Sequence, residues 1–158
     1  MNEVLKLLED NARLSAEQLS MMLDKESGDI RAMIDKYEQE RVILGYKAII
    51  DWDKTDRESV SALIEVKITP QRDRGFDRVA EKIYNYPEVE SLYLMSGGFD
   101  LAVMLRGKTM REIAAFVASK LAVLDSVTAT ATHFVLQKYK ENGVIFGAPQ
   151  KDERGNCL

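Results

Sequence analysis

Two periods run along this chain. Over roughly the first forty residues apolar side chains recur every three or four positions, as on a helix face, and beyond residue 59 they largely alternate. Val4, Leu7 and Leu8 predict a first helix over residues 2–10. Ser15, with Gln18 three places on, reads as a capping box whose side chains satisfy free amides at a helix start; Leu19, Met22 and Leu23 supply that helix's apolar stripe. After the polar break DKESGD, Ile30, Ile34 and Tyr37 share one face of a third helix that runs out near Glu40. RVILGYKAIID, over 41–51, is rich in β-branched and aromatic residues and predicts a strand. Three short helices, the last two joined by a tight turn, and then a strand predict a winged helix-turn-helix over residues 1–50.

Residues 51–59 are polar apart from Trp52 and read as a linker, with the indole plugging the edge of its own domain. Val60, Ala62, Ile64, Val66 and Ile68 then alternate on one face of a strand, which Pro70 and QRDRG break. Phe76, Val79, Ala80 and Ile83 mark an amphipathic helix that ends at NYP, because Pro87 cannot continue it. SLYLMSGGFDLAVML predicts two strands about a glycine turn. Thr109 and Glu112 form a second capping box, and Ile113, Phe116, Val117 and Leu121 give the next helix its buried side. In the last strand, Val127, Ala129, Ala131, His133 and Val135 share one face, expected to pack closely under the helices. Thr128, Thr130, Thr132, Phe134 and Leu136 share the other. The order β-α-β-β-α-β predicts a ferredoxin-like domain over residues 60–141, an α+β chain overall, and a tail over 142–158 that is mobile from Pro149 on.

Composition narrows the chemistry. The single cysteine, Cys157, excludes an intrachain disulfide and reads as an incidental tail thiol. The single histidine, His133, leaves a zinc site or a Cys-His nucleophile without partners and reads as a satisfied, half-buried imidazole. No catalytic residue, metal or cofactor is expected, and the chain is read as not an enzyme. No apolar run reaches the roughly 18 residues of a membrane helix, so a cytoplasmic protein with no membrane partner is expected. The net charge of −4 is uneven: residues 1–57 hold nine Lys and Arg against thirteen Asp and Glu, and the rest balance. The acidic half is the one that has the form of a DNA reader.

With both halves in view the chain resembles the Lrp/AsnC, or feast/famine, transcription regulators over roughly residues 2–140. ENARLSAEQLSMML is similar to the family's first two helices. RVILGYKAIIDWDK resembles its G-V-I-x-G-Y strand and linker, with Arg41 in place of the glycine and Val42, Ile43, Gly45 and Tyr46 in register. SGGFDL resembles its G-x-[YF]-D segment and THFVL its last strand. The resemblance implies an N-terminal domain that binds double-stranded promoter DNA, a hinge, and a C-terminal domain that forms a homodimer, assembles into higher oligomers and binds a small effector, commonly an amino acid. A four-stranded sheet with helices on one face also leaves its other face bare, and packing sheet on sheet across a two-fold axis would cover it.

On that reading Lys25, Ser27, Arg31 and Lys36 read DNA, and Arg41 and Lys47 contact phosphates from the wing. Asp35 stands four residues after Arg31 and is placed to pair with it. The effector residues are Met95, Gly97, Gly98, Phe99 and Asp100, with hydroxyls from Thr130 and Thr132. Glycines let a ligand carboxylate approach backbone amides, Asp100 accepts from its ammonium group, and Phe99 and Met95 form a wall. Residue chemistry alone also allows a plain hairpin in which Asp100 caps its own turn. The alternative for the whole chain is an effector-sensing or assembly protein whose acidic recognition helix has weakened or lost DNA binding.

Overall fold

The computed structural model describes residues 3–69 and 75–147. The break read at Pro70, the tail from Pro149 and Cys157 lie outside the described residues. Two compact units divide between Ile49 and Ile50.

The first unit holds α1 (Glu3–Asp10), α2 (Ala16–Leu23) and α3 (Ser27–Gln39). The expected capping box is formed: Ser15 Oγ accepts from the Gln18 amide, and Gln18 Oε1 accepts from the Ser15 amide. Val4, Leu8, Leu19 and Ile30 are buried, with Ile34 and Ile43 packed against them. A small core from one or two positions per helix is what such short amphipathic segments can supply.

α3 ends in a Schellman motif, with the Val42 amide bonded to Tyr37 O at 2.8 Å and the Arg41 amide to Glu38 O at 3.0 Å. Arg41 occupies the left-handed residue of the motif, φ +57°, a conformation that favours glycine. The strand expected over 41–51 is not formed: residues 44–50 carry no ladder. β-branched content favours extended backbone, but a strand also needs a neighbour, and among the described residues of this unit none is present. Tyr46 is instead held by its hydroxyl, which donates to Glu38 Oε1 at 2.9 Å.

In the second unit a short 3-10 turn (Trp52–Lys54) precedes β1 (Val60–Ile68), α4 (Asp77–Tyr84), β2 (Val89–Leu94), β3 (Leu101–Gly107), α5 (Met110–Phe116) and β4 (Val127–Phe134). α5 continues as a π-helical turn, Val117–Leu121. All pairings in the four-stranded sheet are antiparallel, in the order β2-β3-β1-β4, which is the ferredoxin-like arrangement. A small hairpin, β5 (Lys140–Glu141) and β6 (Val144–Ile145), follows and straddles the expected start of the tail. Trp52 is half-buried, with the Arg57 guanidinium 4.4 Å from its ring centre.

The core lies between the sheet and its two helices. Ala62, Ile64 and Val66 meet Val103, Ile83 and Leu121 there, all with essentially no exposed surface. At the start of α5, Thr109 Oγ1 accepts from the Glu112 amide, but Glu112 Oε2 accepts from Lys108 rather than from Thr109, so the expected box closes one residue early.

β4 presents its faces the other way from the sequence expectation. Thr130, Thr132 and Phe134 lie opposite Val66, Ile64 and Ala62 and therefore point beneath the helices; Ala129, Ala131 and His133 lie opposite Lys67, Glu65 and Leu63 on the uncovered face. His133 is exposed there, not half-buried. A bulge supplies the reason: Val127 and Ala129 oppose the neighbours Ile68 and Lys67, so Thr128 is an extra residue and the alternation read from Val127 slips by one.

Candidate functional site

The hairpin between β2 and β3 places its residues by backbone bonds. The Met95 amide donates to Asp100 O at 2.8 Å and closes the loop, while the Asp100 amide reaches across to Val66 O on β1 at 3.0 Å. Gly97 holds φ +146°, and no atom stands within 4 Å of where a Cβ would lie on Gly97 or Gly98. The backbone here is open to a close approach. Met95 is exposed and Phe99 half-buried, both beside the loop.

Asp100 is partly buried, and its Oδ2 accepts from the Ile68 amide at 2.7 Å. One carboxylate oxygen is thus used within the fold. Met95, Gly97, Gly98, Phe99 and Asp100 form one cluster. Thr130 and Thr132 do not join it within the chain: β1 separates their strand from β3, which sets them about 10 Å away from it and under the helices.

In the first unit, Lys25, Arg31, Lys36, Arg41 and Lys47 are exposed and Ser27 is half-buried. Arg31 pairs with Glu17 on α2, not with Asp35 as the spacing predicted. The partner comes from the neighbouring helix rather than from the same one. The Glu17 carboxyl is held below the usual carboxylate range by its own backbone amide first, then by the Ser15 hydroxyl and Arg31. Lys36 lies 3.8 Å from Glu40, an exposed i,i+4 pair of small energetic weight. Tyr46 is raised above the usual phenol range by burial first and by its bond to Glu38 second.

Sequence reading missed Glu17, Glu38 and Ile68 as partners, because each acts across elements that only the fold brings together. Among the described residues no group of His, Cys, Asp and Glu is placed to hold a metal ion, and no helix is long and apolar enough to cross a membrane.

A helix-turn-helix unit followed by a βαββαβ domain with an open glycine hairpin defines a two-unit regulator architecture, and the comparisons agree. Residues 61–145 match the Lrp/AsnC ligand binding domain. The chain is 48% identical over 153 residues to the HTH-type transcriptional regulator YugG of Bacillus subtilis, covering 96% of this chain and 92% of that one. It is 26% identical to the proline dehydrogenase transcriptional activator of Rhizobium radiobacter, over 90% of each. Among solved structures, the Neisseria meningitidis regulator NMB0573 in complex with L-Met superposes with a TM-score of 0.72 at 22% identity, covering 94% of this chain and 93% of that one. Escherichia coli AsnC superposes with a TM-score of 0.68 at 18% identity, covering 87% and 91%. The chain belongs to the Lrp/AsnC family of HTH-type transcriptional regulators.

Proposed function

We propose that this regulator binds promoter DNA through α3 and its flanks and senses a small amino acid at the β2–β3 hairpin. Asp100 carries the reading. Its Oδ2 is bound to the Ile68 amide, which fixes the carboxylate, while Oδ1 is left for a ligand ammonium beside the open backbone of Gly97 and Gly98. Phe99 and Met95 supply the wall. The L-Met complex of the Neisseria relative supports the ligand class. A cytoplasmic location goes with a DNA partner.

The uncovered sheet face pairs with a second copy of the chain. Its central rows read Tyr93, Ala102, Glu65, Ala131 and Ser91, Met104, Leu63, His133. Small and apolar residues dominate, giving a flat surface suited to sheet-on-sheet packing, and dimers assemble further. Exposed Val135, Leu136, Tyr139, Val144 and Ile145 follow β4 and extend the apolar surface available to that partner.

Calorimetric titration of the wild type against the twenty amino acids tests the sensor. Binding by at least one, lost in Asp100→Asn, supports it; no binding by any overturns it. The Glu17–Arg31 pair favours a second reading, a sensor that no longer binds DNA, because it occupies the best base-reading side chain. A mobility-shift series on the protein's own promoter at rising salt separates the two: a specific shift at low salt supports the regulator reading, and none, with or without amino acid, supports the second.

A further inference from the structure

On the uncovered face of the sheet, His133 Nε2 lies 3.3 Å from Glu65 Oε1, with the two side chains 55% and 36% exposed. Glu65 stands between Ala102 and Ala131, and His133 lies opposite Leu63, so the pair sits among small and apolar neighbours in the middle of the face. Among the described residues, the other charged or titratable groups that the strands place on that face are Lys67 from β1, Tyr93 from β2 and Arg106 from β3, and Asp51, Asp53 and Lys138 line a pocket with Ser61 and Arg106 at its edge; α4 and α5 pack on the opposite side. Arg106 is already paired with Glu90 at 2.8 Å. Lys67, at the bulged end of β1, is exposed and carries a long stem that can keep its ammonium group in water.

Glu65 has no such route. Its short side chain is central, so covering the face removes water from the carboxylate, and His133 is the group beside it. A neutral imidazole can donate one hydrogen bond but leaves the buried charge uncompensated. An imidazolium donates the same bond and cancels the charge.

We infer that association through this face takes up a proton at His133 in each protomer, so that the homodimer tightens as pH falls. The inference rests on the sheet-to-sheet dimer proposed above. His133 is the only histidine in the chain, so no other imidazole contributes to a response between about pH 8 and about pH 6. By linkage, extra protons bound by the dimer make its association constant rise as pH is lowered.

The dimer dissociation constant of the full chain, measured by sedimentation equilibrium at about pH 8 and about pH 6 and at constant ionic strength, tests this. Expected is tightening by about tenfold or more, abolished in both His133→Gln and Glu65→Gln, each checked for folding by circular dichroism. Where the dimer is too tight to dissociate by dilution, the same comparison is made on the urea midpoint at fixed protein concentration. A wild type that is insensitive to pH or tightens at higher pH, or a His133→Gln variant that keeps the wild-type slope, overturns the proton link and leaves the dimer standing. A chain that is monomeric at both pH values overturns the sheet-face dimer itself.

Discussion

Asp100 Oδ2 accepts a hydrogen bond from the Ile68 amide at 2.7 Å, and this contact explains why a carboxylate opens β3. β3 begins at Leu101, opposite Val66, so the Ile68 amide, two residues further along β1, has no ladder partner on that side. An unpaired, partly buried amide is costly, and the side chain just before the strand completes the ladder in place of backbone.

Two Asp100 substitutions therefore separate fold from function. Asp100→Ala removes the acceptor and is expected to lower stability by about 1–3 kcal/mol, read as a lower urea midpoint. Asp100→Asn keeps an oxygen for Ile68 and stays near wild-type stability, yet loses the charge that attracts an ammonium group. Equal destabilisation by the two variants would show that the carboxylate charge, rather than an acceptor, holds β1.

Arg41 sits at φ +57°, in the left-handed position of the Schellman motif that ends α3, where the family pattern has glycine. An L side chain there costs about 1 kcal/mol relative to glycine. Arg41→Gly is expected to stabilise the first unit by about that amount. If the arginine also contacts a phosphate, the same variant reduces the slope of log affinity against log salt by about one. Thermal melts and salt-dependent mobility shifts on one preparation read both effects.

Glu17→Gln releases Arg31 and removes a negative charge beside α3. Tighter DNA binding and a steeper salt slope, by about one, are expected near neutral pH. The wild type reaches the same state only in acid. The Glu17 carboxyl is held low in the folded chain, so its favourable interactions are fully present above the ordinary carboxylate value and disappear as pH falls through the lowered one. Unchanged binding in the variant would show that Arg31 takes no part at the DNA.

Tyr46→Phe deletes the hydroxyl that donates to Glu38 at 2.9 Å and is expected to cost about 0.5–1.5 kcal/mol. The phenol is raised in the folded chain, so the neutral form is the favoured one. Its contribution is complete below the ordinary phenol value and is lost as pH rises through the raised one. Ultraviolet titration of wild type against variant is expected to show that the phenol lost in Tyr46→Phe ionises above the ordinary phenol value.

Much of the fold was legible because its signals are local. The Ser15–Gln18 box, the buried alternation of Ala62, Ile64 and Val66, and the stripe of Ile113, Phe116 and Leu121 each depend on neighbours within one element, and each forms as read. The hairpin residues Met95 to Asp100 were legible for the same reason. What was misread depends on a second element. Residues 44–50 have the composition of a strand but carry no ladder, and Asp35 has the spacing to pair with Arg31 while the fold brings Glu17 to it from α2.

By itself, then, the sequence determined the order of helices and strands, the two-unit organisation and the family, since these follow from residue spacing along one chain. The tertiary structure alone decided which face of β4 meets the core, because one bulged residue at Thr128 reverses every side chain beyond it. It also decided what Asp100, Arg31 and His133 touch. Those partners lie 32, 14 and 68 residues away in sequence, and only packing brings them within reach.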